Sequence, residues 1–182
     1  MSSRSSITDL VDATSPPEAV RFDFEATFRA QYPKIARVIA RVVRDPARSE
    51  ELAVEVFVKL WRSPRAQGKK AEGWLYRVAV RKALDELRRQ ARRARYERFV
   101  RLGQPPVSPE QAHAANEEQQ RVRLVLAVID RRQAELLLLR ANELSYDEAA
   151  VALGLNPASV GTLLSRAQQA FRKEYLRRYG QE

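Results

Sequence analysis

The chain of 182 residues has no cysteine, one histidine and six glycines. Without thiols it forms no disulfide, zinc finger or iron–sulfur cluster, which fits a cytoplasmic protein. No Gly-rich phosphate loop occurs. No apolar run approaches the ~20 residues a transmembrane helix needs, so no membrane insertion is expected. The first residues are Ser-rich and acidic and lack an apolar h-region, so no signal peptide is expected. The single histidine, His113, falls in a linker-like stretch and reads as a solvent-exposed loop residue. Catalytic constellations are missing, and neither an enzyme activity nor a cofactor is expected. Glu50, Glu51 and Glu55 could be metal ligands on one helix. A second acidic helix with a Glu-x-x-His motif would be needed, and the sequence has none. These carboxylates are read instead as a solvated acidic face, or one that docks a basic partner.

Positive charge is what the chain has in excess. Its net charge is +10, from 33 Lys and Arg against 23 Asp and Glu. Such a balance points to a polyanionic partner: DNA, RNA or an anionic membrane surface. The charge is uneven: residues 1–20 carry −2, 21–100 carry +11, 101–118 carry −2 and 119–182 carry +3. If DNA is the ligand, the first half should supply most of the phosphate contacts.

Apolar periodicity predicts an all-α fold of two small helical domains joined by a flexible linker. Residues 1–20, with Pro16-Pro17 and little apolar content, are expected to be a disordered tail. Phe24, Phe28, Tyr32, Ile35, Val38, Ile39, Val42 and Val43 form a helical stripe, in which Pro33 predicts a kink or a division. Asp45-Pro46 caps and starts a second helix ending near Arg62. Its buried face is expected to hold Leu52, Val56, Leu60, Phe57 and Trp61. Residues 63–70 read as a polar loop. A third helix is expected over about 71–99, with Trp74, Leu75, Val78, Ala79, Ala83, Leu84 and Leu87 inside. Gly103 to Pro109 reads as part of a linker over 100–116. The first domain is thus placed at 21–99 and the second at 117–182. In the second, helices are expected from Val122 to Ile129, over 131–142 and over about 157–178.

The most informative stretch runs from Leu144 to Val160. Ser145 is a good N-cap, and Glu148 three residues on completes a capping box. Ala149, Ala150 and Leu153 give that helix a small apolar face. Gly154 permits the left-handed conformation that ends it. Asn156 then caps a second helix, with Pro157 in its first turn. Val160, Leu163, Leu164 and Ala167 follow at helical spacing. This is a helix-turn-helix pattern, whose second helix enters the DNA major groove. In the first half, Trp74, Tyr76, Arg77, Arg81, Lys82, Arg88, Arg89, Arg92, Arg93 and Tyr96 interleave aromatics with cations. Cations neutralise phosphates and aromatics stack on unpaired bases. Arginines crowded on one helix end repel one another unless an anion is present.

Together these segments resemble the extracytoplasmic-function (ECF) sigma factors of bacterial RNA polymerase, over nearly all of residues 22–178. Glu50 to Trp61 is similar to region 2.2, which docks on the polymerase β′ clamp. The resemblance implies core contacts at Glu50, Glu51, Val54, Glu55 and Lys59. Trp74 to Ala79 with Ala83 to Arg89 is similar to regions 2.3 and 2.4, which open the −10 element and hold its exposed base. It implies −10 contacts at Trp74, Tyr76, Arg77, Arg81, Lys82, Arg88, Arg89, Arg92 and Arg93. Leu136 to Arg140 with Leu144 to Ala150 is similar to region 4, implying −35 contacts at Ser159, Thr162, Ser165, Arg166 and Gln169. The implied partners are polymerase core (β′ clamp and β flap), promoter DNA and an anti-sigma factor. The chain departs from the family at Val54, where Gln is usual, and at Val80-Arg81-Lys82, where Arg-Asn-Leu is typical. Gly161 and Leu163 stand at positions often basic, and Ile129-Asp130 replaces Leu-Pro. Two other classes fit the same residues less fully. One is a stand-alone helix-turn-helix regulator dimerising on a palindrome, for which no further apolar surface is evident. The other is a sigma-like interaction module without promoter activity.

Overall fold

The computed structural model describes residues 22–100 and 114–180, without strands among them. The expected tail over 1–20, His113 and residues 101–113 of the expected linker lie outside the described residues. Helix α1 spans Phe24–Val43, α2 Pro46–Trp61, α3 Ala71–Val100, α4 Ala114–Val128, α5 Arg131–Ala141, α6 Tyr146–Leu153 and α7 Pro157–Tyr179. One 3₁₀ turn, Pro64–Ala66, sits between α2 and α3.

Local chemistry sets the helix ends. Asp23 accepts from the Ala26 N–H at the start of α1. Asp45 accepts from the Arg48 N–H to start α2, with Pro46 where no N–H is required. Asp130 accepts from the N–H groups of Arg132 and Gln133 to start α5. Pro33 does not divide α1, which continues through it to Val43. The rings of Phe28 and Tyr32 before the proline, and Ile35 and Ile39 after it, pack into the same core.

The first half packs α1, α2 and α3 around Ile35, Ile39, Val56, Phe57, Leu60, Leu75 and Leu84. Phe57 anchors it, with ring centroids 4.9 Å from Phe28, 5.9 Å from Tyr32 and 6.5 Å from Phe24. Trp61 departs from its expected buried place: it is 63% exposed and makes an edge-type ring contact with Phe24, centroids 5.0 Å apart. The second half packs α4 to α7 around Val125, Leu139, Ala149, Val160, Leu164 and Ala167.

The two halves pack against each other along α3. Val80 of that helix is fully buried. Helix α6 buries Ala152 as well as Ala149 and Ala150, while Leu153 is only half-buried. The reason lies across the seam. A Cβ on Gly73 would fall 3.2 Å from the Val151 side chain and 3.6 Å from the Ala152 backbone. The glycine thus lets α3 and α6 approach closely.

Candidate nucleic-acid interface and docking face

The helix-turn-helix is built by its own caps. Ser145 Oγ accepts from the Glu148 N–H, and the Glu148 carboxylate accepts from the Ser145 N–H. Hydrogen bonds to that carboxylate from the Ser145 N–H, then from the Ser145 side chain, hold it below the ordinary carboxylate range. Gly154 ends α6 at φ 66° and ψ 41°, the left-handed region. Asn156 accepts from the Ala158 N–H, and Pro157 opens α7. Val160, Leu164 and Ala167 face inward. Thr162, Ser165, Arg166 and Gln169 stand exposed along the outer face, with Ser159 one turn earlier. A Cβ on Gly161 would meet only the Tyr146 ring, at 3.6 Å, so packing does not demand a glycine there.

Helix α3 carries the other candidate DNA contacts, in unequal states. Trp74, Tyr76, Arg77, Arg81 and Lys82 are half-buried. Burial, then the charges of Glu72 and Glu148, push the Tyr76 phenol up, so it stays neutral. Arg77 Nε is buried, with no hydrogen-bond partner among the described residues. Arg81 donates to Glu135 of α5 at 3.0 Å. Lys82 pairs with Glu55, which joins a −10 candidate to a clamp candidate. Arg88 is a clasp for the second half, donating to the carbonyls of Ala127 at 3.1 Å and Ile129 at 3.0 Å. Those carbonyls end α4 and attract a cation. Arg89 pairs with Glu86, and Arg93 with Glu97. Arg92 stays exposed, beside Arg95 and Tyr96, on a wide groove shared with Arg131 and Arg178. Intrahelical carboxylates therefore offset part of the repulsion expected among these arginines.

The candidate docking face lies on α2. Glu50, Glu51, Val54, Glu55 and Lys59 are all exposed. Val54, Val58 and Trp61 add an apolar stripe, 47%, 42% and 63% exposed, at i, i+4 and i+7. Val58 and Trp61 escape a reading of sequence alone; the signal was an apolar stripe wider than one buried face requires. Arg48 fixes the acidic part. It contacts Glu51 at 2.8 Å, Glu55 at 3.7 Å and the buried Glu86 at 3.2 Å. Burial alone would push the Glu86 carboxyl up, but hydrogen bonds from Arg89 and Arg48 hold it below its ordinary range. Among the described residues, no group of three or more His, Cys, Asp or Glu is placed to hold a metal ion. No described helix is long and apolar enough to cross a membrane.

A basic three-helix unit packed on a capped helix-turn-helix unit, with a separate acidic and apolar face, defines a helical DNA-binding protein built in two parts. The family models for Sigma-70 region 2 and Sigma-70 region 4 match residues 27–93 and 119–170. The chain belongs to the sigma-70 family, in its ECF group. It is similar to the ECF RNA polymerase sigma factor SigK of Mycobacterium sp. (strain KMS), 29% identical over 146 residues, 75% of each chain. It is also similar to the ECF RNA polymerase sigma factor SigE of Mycolicibacterium smegmatis, 26% identical over 180 residues, covering 96% of this chain and 69% of that one. Two solved structures share the fold. CnrH, in complex with the cytosolic domain of CnrY, aligns with a TM-score of 0.52 at 21% identity, covering 82% of this chain and 85% of that one. The sigma factor RpoE, in complex with the anti-sigma factor NepR from Bartonella quintana, aligns with a TM-score of 0.50 at 17% identity, covering 84% and 96%.

Proposed function

We propose that this chain is a cytoplasmic promoter-recognition subunit that binds RNA polymerase core and brings it to −35 and −10 elements, without catalysis of its own. The observation that carries this reading is the ordered pair of sigma regions on one chain, each with an exposed face of fitting chemistry. Helix α2 offers carboxylates beside an apolar stripe, suited to a basic helix with apolar positions on the polymerase clamp. Helix α7 offers Ser159, Thr162, Ser165, Arg166 and Gln169 for −35 DNA. Arg166 is its only early cation, and no side chain among the described residues pairs with it. Helix α3 offers Trp74, Tyr76, Arg77, Arg81 and Lys82 for the −10 strand, and Arg89, Arg92 and Arg93 for phosphates. Arg88 belongs to that set only if it leaves the α4 carbonyls. An anti-sigma factor as a further partner, and two domains bounded at 21–99 and 117–182, are part of the same proposal.

The test is charge reversal on the docking face. Glu51→Lys with Glu55→Lys should abolish co-purification with polymerase core. Because both glutamates neighbour Arg48, helicity and melting are measured beside binding. A loss of ~2–5 kcal/mol is expected where a desolvated interfacial charge is lost. Unchanged co-purification contradicts the assignment of this face.

A further inference from the structure

A cavity of about 290 Å³ opens where α3, α5, α6 and α7 meet. Its apolar wall is Leu136 of α5, Leu153 of α6, Leu155 of the turn and Leu163 of α7. Leu136 is buried and the other three are half-buried. Three arginines from three helices also line it: Arg77 of α3, Arg132 of α5 and Arg166 of α7. None of the three has an ion pair among the described residues. The two carboxylates at the cavity are already engaged. Glu135, 1% exposed, receives Arg81 at 3.0 Å and Arg131 at 3.4 Å. Asp130 caps α5, accepting from the N–H groups of Arg132 at 2.9 Å and Gln133 at 3.2 Å. Arg77 is the decisive residue, because its Nε is buried without a hydrogen-bond partner among the described residues. A buried donor is expensive to leave unmade, so it calls for an acceptor.

We propose that this cavity binds a small organic acid, with its carboxylate on the Arg77 guanidinium and its apolar body, aromatic or aliphatic, on the four leucines. An apolar wall with a few convergent polar groups is the usual build of a small-molecule site. The size lies near the lower end of the ~300–1,000 Å³ range of such sites, which suits one or two rings or a short chain. A planar guanidinium fork matches one carboxylate through two parallel hydrogen bonds. A single negative charge costs less to desolvate against leucines than the double charge of a phosphate monoester. Arg132 and Arg166, both exposed, add a positive field that concentrates an anion at the opening. The proposal goes beyond promoter recognition and does not depend on it.

Titration calorimetry of the full-length chain with 2-naphthoate and with octanoate tests it. At least one of the two acids should bind with a dissociation constant of ~1 mM or lower. The neutral 2-naphthamide, of the same shape as the first, should bind ~10-fold more weakly or not at all, since it cannot accept a charge-assisted bond. Arg77→Gln should weaken the acid by a similar factor. Leu163→Phe, which adds volume to the apolar wall, should also weaken it ~10-fold while helicity stays native. The pair Arg92→Gln with Arg95→Gln removes more charge from exposed positions about 22 Å or more along α3, and should leave the affinity within about twofold. Equal binding of acid and amide overturns the proposal. So does binding of neither acid below about 10 mM, or a loss in the Arg92–Arg95 variant as large as that in Arg77→Gln, which would mean attraction to a basic surface only. The amide comparison and Leu163→Phe decide the matter even where Arg77→Gln fails to fold. No DNA or polymerase enters the titration, so its failure leaves the promoter reading standing.

Discussion

Trp61→Ala separates docking from folding more sharply than any other single change. Trp61 is 63% exposed and, among the described residues, has one aromatic neighbour, Phe24, in an edge-type contact at 5.0 Å. An edge-to-face pair contributes ~0.5–1.5 kcal/mol beyond area burial, so the loss of stability should stay near that range. Docking should respond differently. Trp61 ends the Val54–Val58–Trp61 stripe beside Glu51 and Glu55, and a tryptophan at the centre of an interface commonly costs ~2–4 kcal/mol on truncation. At 1.4 kcal/mol per tenfold, that is roughly a 30- to 700-fold weaker association with polymerase core. Thermal unfolding of the free chain gives the first quantity. Fluorescence anisotropy of labelled chain titrated with core gives the second. A dissociation constant within about twofold of native, with stability also unchanged, would refute the stripe as a docking surface. A melting loss well above ~1.5 kcal/mol would show that Trp61 serves the core of the fold instead.

Three further outcomes are expected. Ser145→Ala should destabilise the chain by ~1 kcal/mol by removing the oxygen that caps α6, and weaken −35 binding in proportion; hydrogen exchange localised to α6 and the turn reads it. Changing Arg92 and Arg93 to Ala should weaken binding alike across promoter sequences and flatten the log–log salt dependence by about one unit per lost phosphate contact; an altered base preference at unchanged slope would mean that they read bases. Hydrogen bonds from Arg177 and Arg178 hold the Glu174 carboxyl down to about 2, against an ordinary 4.5. A carboxyl depressed in the folded state adds stability above its unfolded value and loses it as pH falls through the folded one. Acid unfolding should therefore steepen between pH 4.5 and about 2, and Glu174→Gln should flatten that limb.

The sequence was most legible where structure is set locally. Ser145 with Glu148, Gly154, and Asn156 with Pro157 specify the α6–α7 turn within a dozen residues, and the structure forms each cap. The stripe from Phe24 to Val43 likewise fixed the inner face of α1, although packing against Phe57 carried the helix through Pro33. What stayed hidden depends on pairing across distance. Trp61 lies four residues after Phe57 and so shares its helical side, but α1 ends its cover at Phe24 and leaves the indole outside. Glu135 sits in an apolar run, a hint of a buried partner, yet Arg81 is 54 residues away. Arg88 looked like a phosphate ligand by charge and spacing. Its acceptors at Ala127 and Ile129 come from the other half of the chain, beyond the reach of any local pattern.

The most direct measurement of the central claim is run-off transcription with purified polymerase core, the full-length chain and a library of promoter templates. The account predicts transcripts that start only when the chain is added, depend on both a −35 and a −10 sequence, and fall when Arg166 is changed to Ala. Absence of any chain-dependent transcript, together with tight dimeric binding of the chain alone to a palindromic site, would contradict it.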